Sequence, residues 1–243
     1  MNSSFQADHV FDGGAQDCGS GLILLIRQNM LQVPVGGVLE IRSEEPTVTA
    51  ELPPWCRMVG HEHLDSVEVT PGKWRHFVRR GNENANEAET LAADQATAKS
   101  FHWNARGRRN TDEKTTVYAR NHHWVVGSAL SFHRTDSNAC ALEHLLGALI
   151  SEVAHHFSVQ CSSNGIEVDD FECSAQVELK NVLSAIGAEK GDPAIQSIKL
   201  VGYVSSSSSQ EPLLAAWKQS LEQGSIYQTL VKSCVVDLRL VVM

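Results

Sequence analysis

The chain has 243 residues, 42% of them hydrophobic and 20% charged, with a formal net charge of −9. This is the make-up of one large or two small globular domains, and it excludes a collagen, a coiled coil or a disordered tail as the main architecture. The acidic balance argues against a phosphate-tracking nucleic-acid binder, and no apolar run approaches the roughly 20 residues of a membrane span, so neither nucleic acid nor membrane is an expected partner.

The amino-terminal residues show no basic stretch followed by an apolar one, so a cytoplasmic location is expected. The six cysteines are scattered singly, without CxxC pairs. In a reducing compartment they stay free thiols, and no two sit at zinc-ligand spacing. No cofactor and no metal are expected.

In chain order, residues 9–11 suggest a first strand and 21–31 (GLILLIRQNML) a helix, stopped by Pro34, Gly36 and Gly37. Residues 38–43 (VLEIRS) alternate as a half-buried strand. Pro46 opens a second helix carrying Trp55 and Cys56 and ending at Gly60; strands at 63–69 and 74–79 flank the Pro71-Gly72 turn. The order βαβαββ makes one sheet covered by two helices, over residues 8–80.

Residues 81–114 are polar and read as a linker, with a short helix at 87–99. Arg106, Arg108 and Arg109 lie in it, and a solvated loop outweighs a nucleic-acid contact. Residues 115–243 form a second domain. Strands at 115–118 and 123–126 precede a long helix at 139–161, with Asp136, Ser137 or Asn138 as cap. Then come strands at 171–179 and 195–205, a helix at 212–222 and a strand at 235–242. The fold class is α+β: a two-layer α/β sandwich followed by an α+β domain with a long central helix.

Cys18 lies in DGGAQDCGSGL, just before the first helix. A thiol at a helix N-terminus meets the macrodipole and free N–H groups, which favour the nucleophilic thiolate. Adjacent Asp17 opposes that. Against it stands a turn cysteine of no consequence. Cys56, beside Trp55, reads as a buried structural thiol. His61 and His63 flank Glu62 and read as a solvent-facing pair.

These residues carry a resemblance. Asp12, Cys18 with Gly19-Ser20-Gly21, residues 37–41 and LPPWCRMVGH at 52–61 together resemble the TusA/SirA-like sulfur-carrier family. That family has the βαβαββ sandwich, and an aspartate then Cys-Pro-x-Pro opens its first helix. The resemblance implies that Cys18 carries sulfur as a persulfide, between sulfur donor and acceptor proteins. Both prolines are replaced here, by Gly19 and Gly21.

Residues 115–243 are similar to the OsmC/Ohr superfamily, through ARNHHW at 119–124, ALEHLLGALISEV at 141–153, SNGIEVDDFE at 163–172 and GSIYQTL at 224–230. That resemblance implies an intertwined homodimer, with a peroxidatic cysteine on the long helix and a second cysteine opening a later segment. The first thiol position falls at Glu152 and the second at Gly224, or at Ser225 one residue on. Neither Glu nor Gly forms a sulfenic acid or disulfide, so thiol peroxidase activity is not expected. Glu152, His155 and His156 make an E-x-x-H-H cluster on one helix. A Glu–His hydrogen bond lining a degenerate pocket is expected over a metal site, with His122, His123, His133 and Arg120 as further lining candidates. The expected function is a sulfur-carrier or redox-related protein; the alternative is a non-catalytic dimeric binding or scaffold protein.

Overall fold

Alternating and helical apolar patterns resolve into two mixed α/β units in the computed structural model, which describes residues 5–82, 87–110, 114–133, 135 and 137–243. One unit comprises Met1–Phe101 with Ser162–Gly165, the other His102–Cys161 with Ile166–Met243.

In the first unit β1 (His9–Asp12), α1 (Leu22–Met30), β2 (Val38–Ser43), α2 (Val48–Met58), β3 (Glu62–Thr70) and β4 (Lys73–Arg79) follow the expected order. The sheet runs β1-β2-β4-β3, with β1 and β2 parallel and the remaining pairs antiparallel. Leu22, Ile26 and Met30 recur at helical spacing on α1. They bury against Leu39 and Ile41 of β2 and against Leu52 and Cys56 of α2. Cys56 is fully buried, a core thiol as its apolar setting implied. On the opposite face of β2, Glu40 is buried between Arg42 and Arg75, with its Oε1 2.9 Å and 2.8 Å from their Nε atoms.

The polar segment 81–114 is not a bare tether. It carries α3 (Glu87–Lys99), the helix that its composition predicts, and β5 (Arg106–Arg109), a strand where the sequence predicts a solvated loop. β5 pairs antiparallel with β6 (Thr115–Ala119), and β7 (His122–Val126) completes a three-stranded meander. Alternation could not reveal β5, because every residue on it is exposed. Arg106 lies over the Tyr118 ring, 5.0 Å from its centroid.

The long central helix is α4 (Ala141–Ser163). Of the proposed caps, Ser137 and Asn138 bond each other, Ser137 Oγ donating to Asn138 Oδ1 at 3.2 Å. The Glu143 carboxylate accepts the Cys140 N–H at 2.7 Å at the start of α4, and Asp136 lies outside the described residues. After α4 come β8 (Asp170–Leu179), α5 (Val182–Ala185), β9 (Ile195–Ser205), α6 (Gln210–Gln223), α7 (Ser225–Leu230) and β10 (Val235–Val242). β9 is central, antiparallel to β8 and parallel to β10. Leu149, Val153, Phe157 and Cys161, four residues apart on α4, share a core with Leu213 and Trp217 of α6 and Ile198 and Leu200 of β9. Phe157, Phe171 and Trp217 cluster at its centre with ring centroids 4.5–6.2 Å apart.

Candidate functional site

Cys18 does not open α1. It begins a single 3₁₀ turn, Cys18–Ser20, closed by a capping box. Asp17 Oδ1 accepts the Ser20 N–H at 2.6 Å, and the Asp17 N–H donates to Ser20 Oγ at 3.2 Å. Gly21 then takes φ +109°, and α1 starts at Leu22. Proline, locked near φ −65°, cannot occupy that left-handed position, so glycine here is a requirement of the turn. The dipole of α1 acts over its own first turn and is not delivered to Cys18.

The expectation of a favoured thiolate is therefore overturned. The thiol is half-buried against the core and hydrogen-bonds to the Glu51 carboxylate. Burial first, then Glu51, then the charges of Asp17 and Glu45, push the Cys18 thiol up to about 12. Sequence reading found Asp17 because it is adjacent. It missed Glu45 and Glu51, which come from the segment around the start of α2. The remaining thiols do not join Cys18: all six cysteines are free, and burial holds Cys56 at about 12 and Cys161 at about 11.

His61 and His63 do not form a solvent-facing pair. His61 packs its edge on Trp55, centroids 5.8 Å apart, and precedes β3. His63 Nε2 lies 2.8 Å from Ser66 Oγ, which lies 2.8 Å from His76 Nδ1 across the β3–β4 ladder. His76 is fully buried, and its Nε2 has no hydrogen-bond partner. Burial, then the neighbouring His63, pull its imidazole down to about 4. Between its ordinary value and about 4 the unfolded chain binds a proton that the folded chain refuses. Stability contributed by neutral His76 is thus whole above about pH 6.5 and falls as the pH drops, by about 3 kcal/mol when the fall is complete. Urea midpoints measured from pH 7.5 to 4.5 should show this acid limb, and His76→Leu should flatten it. An equally steep limb in that variant would assign the loss to other groups.

In the second unit the two positions singled out for missing cysteines lie together. Glu152, in the middle of α4, caps the start of α7. Its Oε1 accepts from Ser225 Oγ at 2.8 Å and from the Ile226 N–H at 3.0 Å, and its Oε2 from the Ile226 and Tyr227 N–H groups at 3.0 and 3.1 Å. A Cβ on Gly224 would stand 2.8 Å from Glu152 Oε2, so glycine is what lets the carboxylate seat. A carboxylate on free N–H groups at a helix start satisfies donors that otherwise lack partners.

The expected Glu–His hydrogen bond does not form, because both carboxylate oxygens are committed to α7. His155 is exposed and His156 half-buried, their centroids 5.7 Å apart, and burial draws His156 below its usual range. Nor do the other candidates gather at Glu152. His122 and His123 are exposed on β7, with His123 stacked on Tyr118 at 6.2 Å. Arg120 occupies the β6–β7 turn at φ +52°, and the His133 N–H bonds Ser131 Oγ. Among the described residues no group of three or more His, Cys, Asp or Glu side chains is placed to hold a metal ion. No described helix is long and apolar enough to cross a membrane.

No family model matches the chain. The putative sulfur carrier protein YrkF of Bacillus subtilis (strain 168) is 35% identical over 65 residues, which are 27% of this chain and 35% of that protein. The match thus spans about a third of the length of YrkF. The sulfur carrier protein TusA of Pseudomonas putida (strain GB-1) is 24% identical over 78 residues, 32% of this chain and 95% of that protein. Among solved structures, the OsmC-like protein of Mycoplasma pneumoniae superposes with a TM-score of 0.51 at 14% identity, covering 59% of this chain and 99% of that one. The chain therefore joins an amino-terminal part similar in sequence to sulfur carriers of the TusA type to a remainder with the fold of OsmC-like proteins.

Proposed function

We propose that the protein is a sulfur carrier in which Cys18 receives a sulfane sulfur and passes it on. The observation that carries this reading is the half-exposed thiol in the turn before α1, in the part of the chain similar to sulfur carriers. The Cys18 thiolate attacks the outer sulfur of a donor persulfide; the donor S–S bond breaks and the donor thiolate leaves. An acceptor thiolate then attacks the outer sulfur of the Cys18 persulfide and regenerates the Cys18 thiolate. With its thiol held near 12, the free protein is a guarded carrier, and loading is slow until the surrounding carboxylates are neutralised. A cytoplasmic setting accords with six free thiols.

In this reading the OsmC-like part is not a thiol peroxidase, because Glu152 and Gly224 hold the positions where the resemblance places cysteines. It supplies a homodimer: among the described residues the outer strands β5, β7, β8 and β10 of its two sheets each leave one edge unpaired, and such edges invite a second chain. The second reading, a non-catalytic binding protein, draws on a groove of about 620 Å³ whose lining mixes apolar residues such as Phe132, Leu146 and Val177 with charged ones such as Glu178 and Lys180.

Intact mass after incubation with glutathione persulfide separates the two. The carrier gains an adduct of about 32 Da that moves to an acceptor thiol and is lost in Cys18→Ala, while the same sample leaves cumene hydroperoxide unconsumed. No adduct, or one that survives Cys18→Ala, gives the chain to the binding reading.

A further inference from the structure

A cleft in the first unit lies away from the Cys18 turn, among α1, α2 and α3. Its volume is about 280 Å³, at the small end of ligand pockets. Its walls include Met30, Trp55, Met58 and Val59, and its polar groups include Arg27 and His61. Trp55 is 7% exposed, and its indole N–H is buried without a hydrogen-bond partner. A buried donor left in that condition costs about 1–3 kcal/mol, and native structures seldom leave one without a purpose. The Arg27 guanidinium lies over the Trp55 ring at 5.8 Å, so the cation and the unmet N–H belong to one corner.

The counter-ion of Arg27 is poorly engaged. Asp94 Oδ2 is 3.2 Å from Arg27 Nε, yet that Nε makes no aligned hydrogen bond. Asp94 sits on α3, whose hold on the unit is slight: Leu91 is its one buried residue among those described, Asp94 is half-buried, and the side chains from Gln95 to Lys99 are exposed. Leu91 and Asp94 stand three residues apart and so share a face. A wall attached through one apolar side chain and one loose ion pair opens at little cost.

We infer that this cleft binds a small carboxylate with an apolar body, whose carboxyl group displaces Asp94 from Arg27 and accepts the Trp55 indole N–H. Two carboxylate oxygens match the two donors. The apolar body lies along Met30 and Met58, and a bare hydrated ion would gain nothing from those walls. Burial of such a ligand against a tryptophan and two methionines adds the contact that a surface arginine alone lacks. The site has no connection with Cys18 and stands whether or not sulfur transfer is established.

The test uses the full chain and phenylacetate as probe. Titration followed by the tryptophan indole N–H resonances, with Trp55→Phe assigning the Trp55 peak, should show saturable movement of that peak. Arg27→Gln should weaken binding by about tenfold or more, since a charge-assisted contact is lost. Asp94→Asn should tighten it several-fold by removing the internal competitor, in a direction that damage to the fold does not produce. No saturable shift in wild type and Asp94→Asn up to millimolar probe overturns the inference. So does Arg27→Gln binding as wild type does, or Asp94→Asn failing to bind more tightly.

Discussion

Glu51→Gln should raise the alkylation rate of Cys18 near neutral pH by about tenfold, corresponding to a fall of about one unit in the thiol pKa. Burial is the largest of the influences that hold Cys18 near 12, and it remains in the variant. The substitution removes the charge of Glu51, leaves only a neutral amide oxygen to accept from the thiol, and keeps Asp17 and Glu45. The sign follows from the charged form. A neighbouring carboxylate disfavours a thiolate, so removing it stabilises the anion and increases the reactive fraction at a given pH. Iodoacetamide kinetics from pH 7 to 10, read by peptide mass at Cys18, measure this, with Glu89→Gln on α3 as control. An unchanged rate would mean that Glu51 does not set the reactivity, which burial and the remaining carboxylates then hold. Gly21→Pro gives a complementary result. At φ +109° proline cannot be accommodated, so the 3₁₀ turn and its capping box must rearrange. The loss of the second proline and the left-handed turn at Gly21 are one fact seen twice.

Glu152→Ala should destabilise the second unit by about 2 kcal/mol, as loss of a helix-capping carboxylate that also leaves N–H groups without a partner. The carboxylate accepts from one hydroxyl and two backbone N–H groups at 2.8–3.1 Å, so no single replacement bond restores it. The melting temperature should fall by about 5 °C. Glu152→Gln, which keeps one accepting oxygen, should lose less. Gly224→Ala should resemble Glu152→Ala, because its methyl group would stand 2.8 Å from Oε2 and expel the carboxylate. The double variant Glu152→Ala/Gly224→Ala then costs little more than either change alone, the pattern of two residues acting through one contact. Additive losses would separate the two positions and remove the latch.

Elements with a regular apolar pattern were legible in the sequence, although β2, which alternates as if half-buried, is buried on both faces but for Arg42. The apolar alternation of β2 and the strongly patterned β9 and β10 gave their bounds to the residue, and α1 and α4 were off by one or two positions. What escaped had no such pattern. β5 exposes all four of its residues, α5 buries none, and α7 gains its N-terminal partner from a residue more than seventy positions earlier. The candidate site followed the same division. Position in the chain pointed to Cys18, Glu152 and Gly224. Their chemistry came from partners distant in sequence: Glu51 for the thiol, and the α7 amides for a carboxylate whose nearest candidate partners along α4 were two histidines. Local spacing names a residue, whereas its protonation and its hydrogen bonds are decided by whatever the fold brings opposite.

The parallel pairing of β10 with β9 has a bearing on the order of assembly. Ile198 pairs with Val236 only after α6 and α7 have been threaded between the two strands, whereas β8 and β9 meet across a short connection containing α5. Closing the longer loop costs more chain entropy before any contact repays it. The β8–β9 ladder can therefore form first and present its β9 edge, with β10 docking late. Until it does, that edge is open to intermolecular pairing, and the yield of refolding should depend on protein concentration most steeply in the interval before β10 arrives.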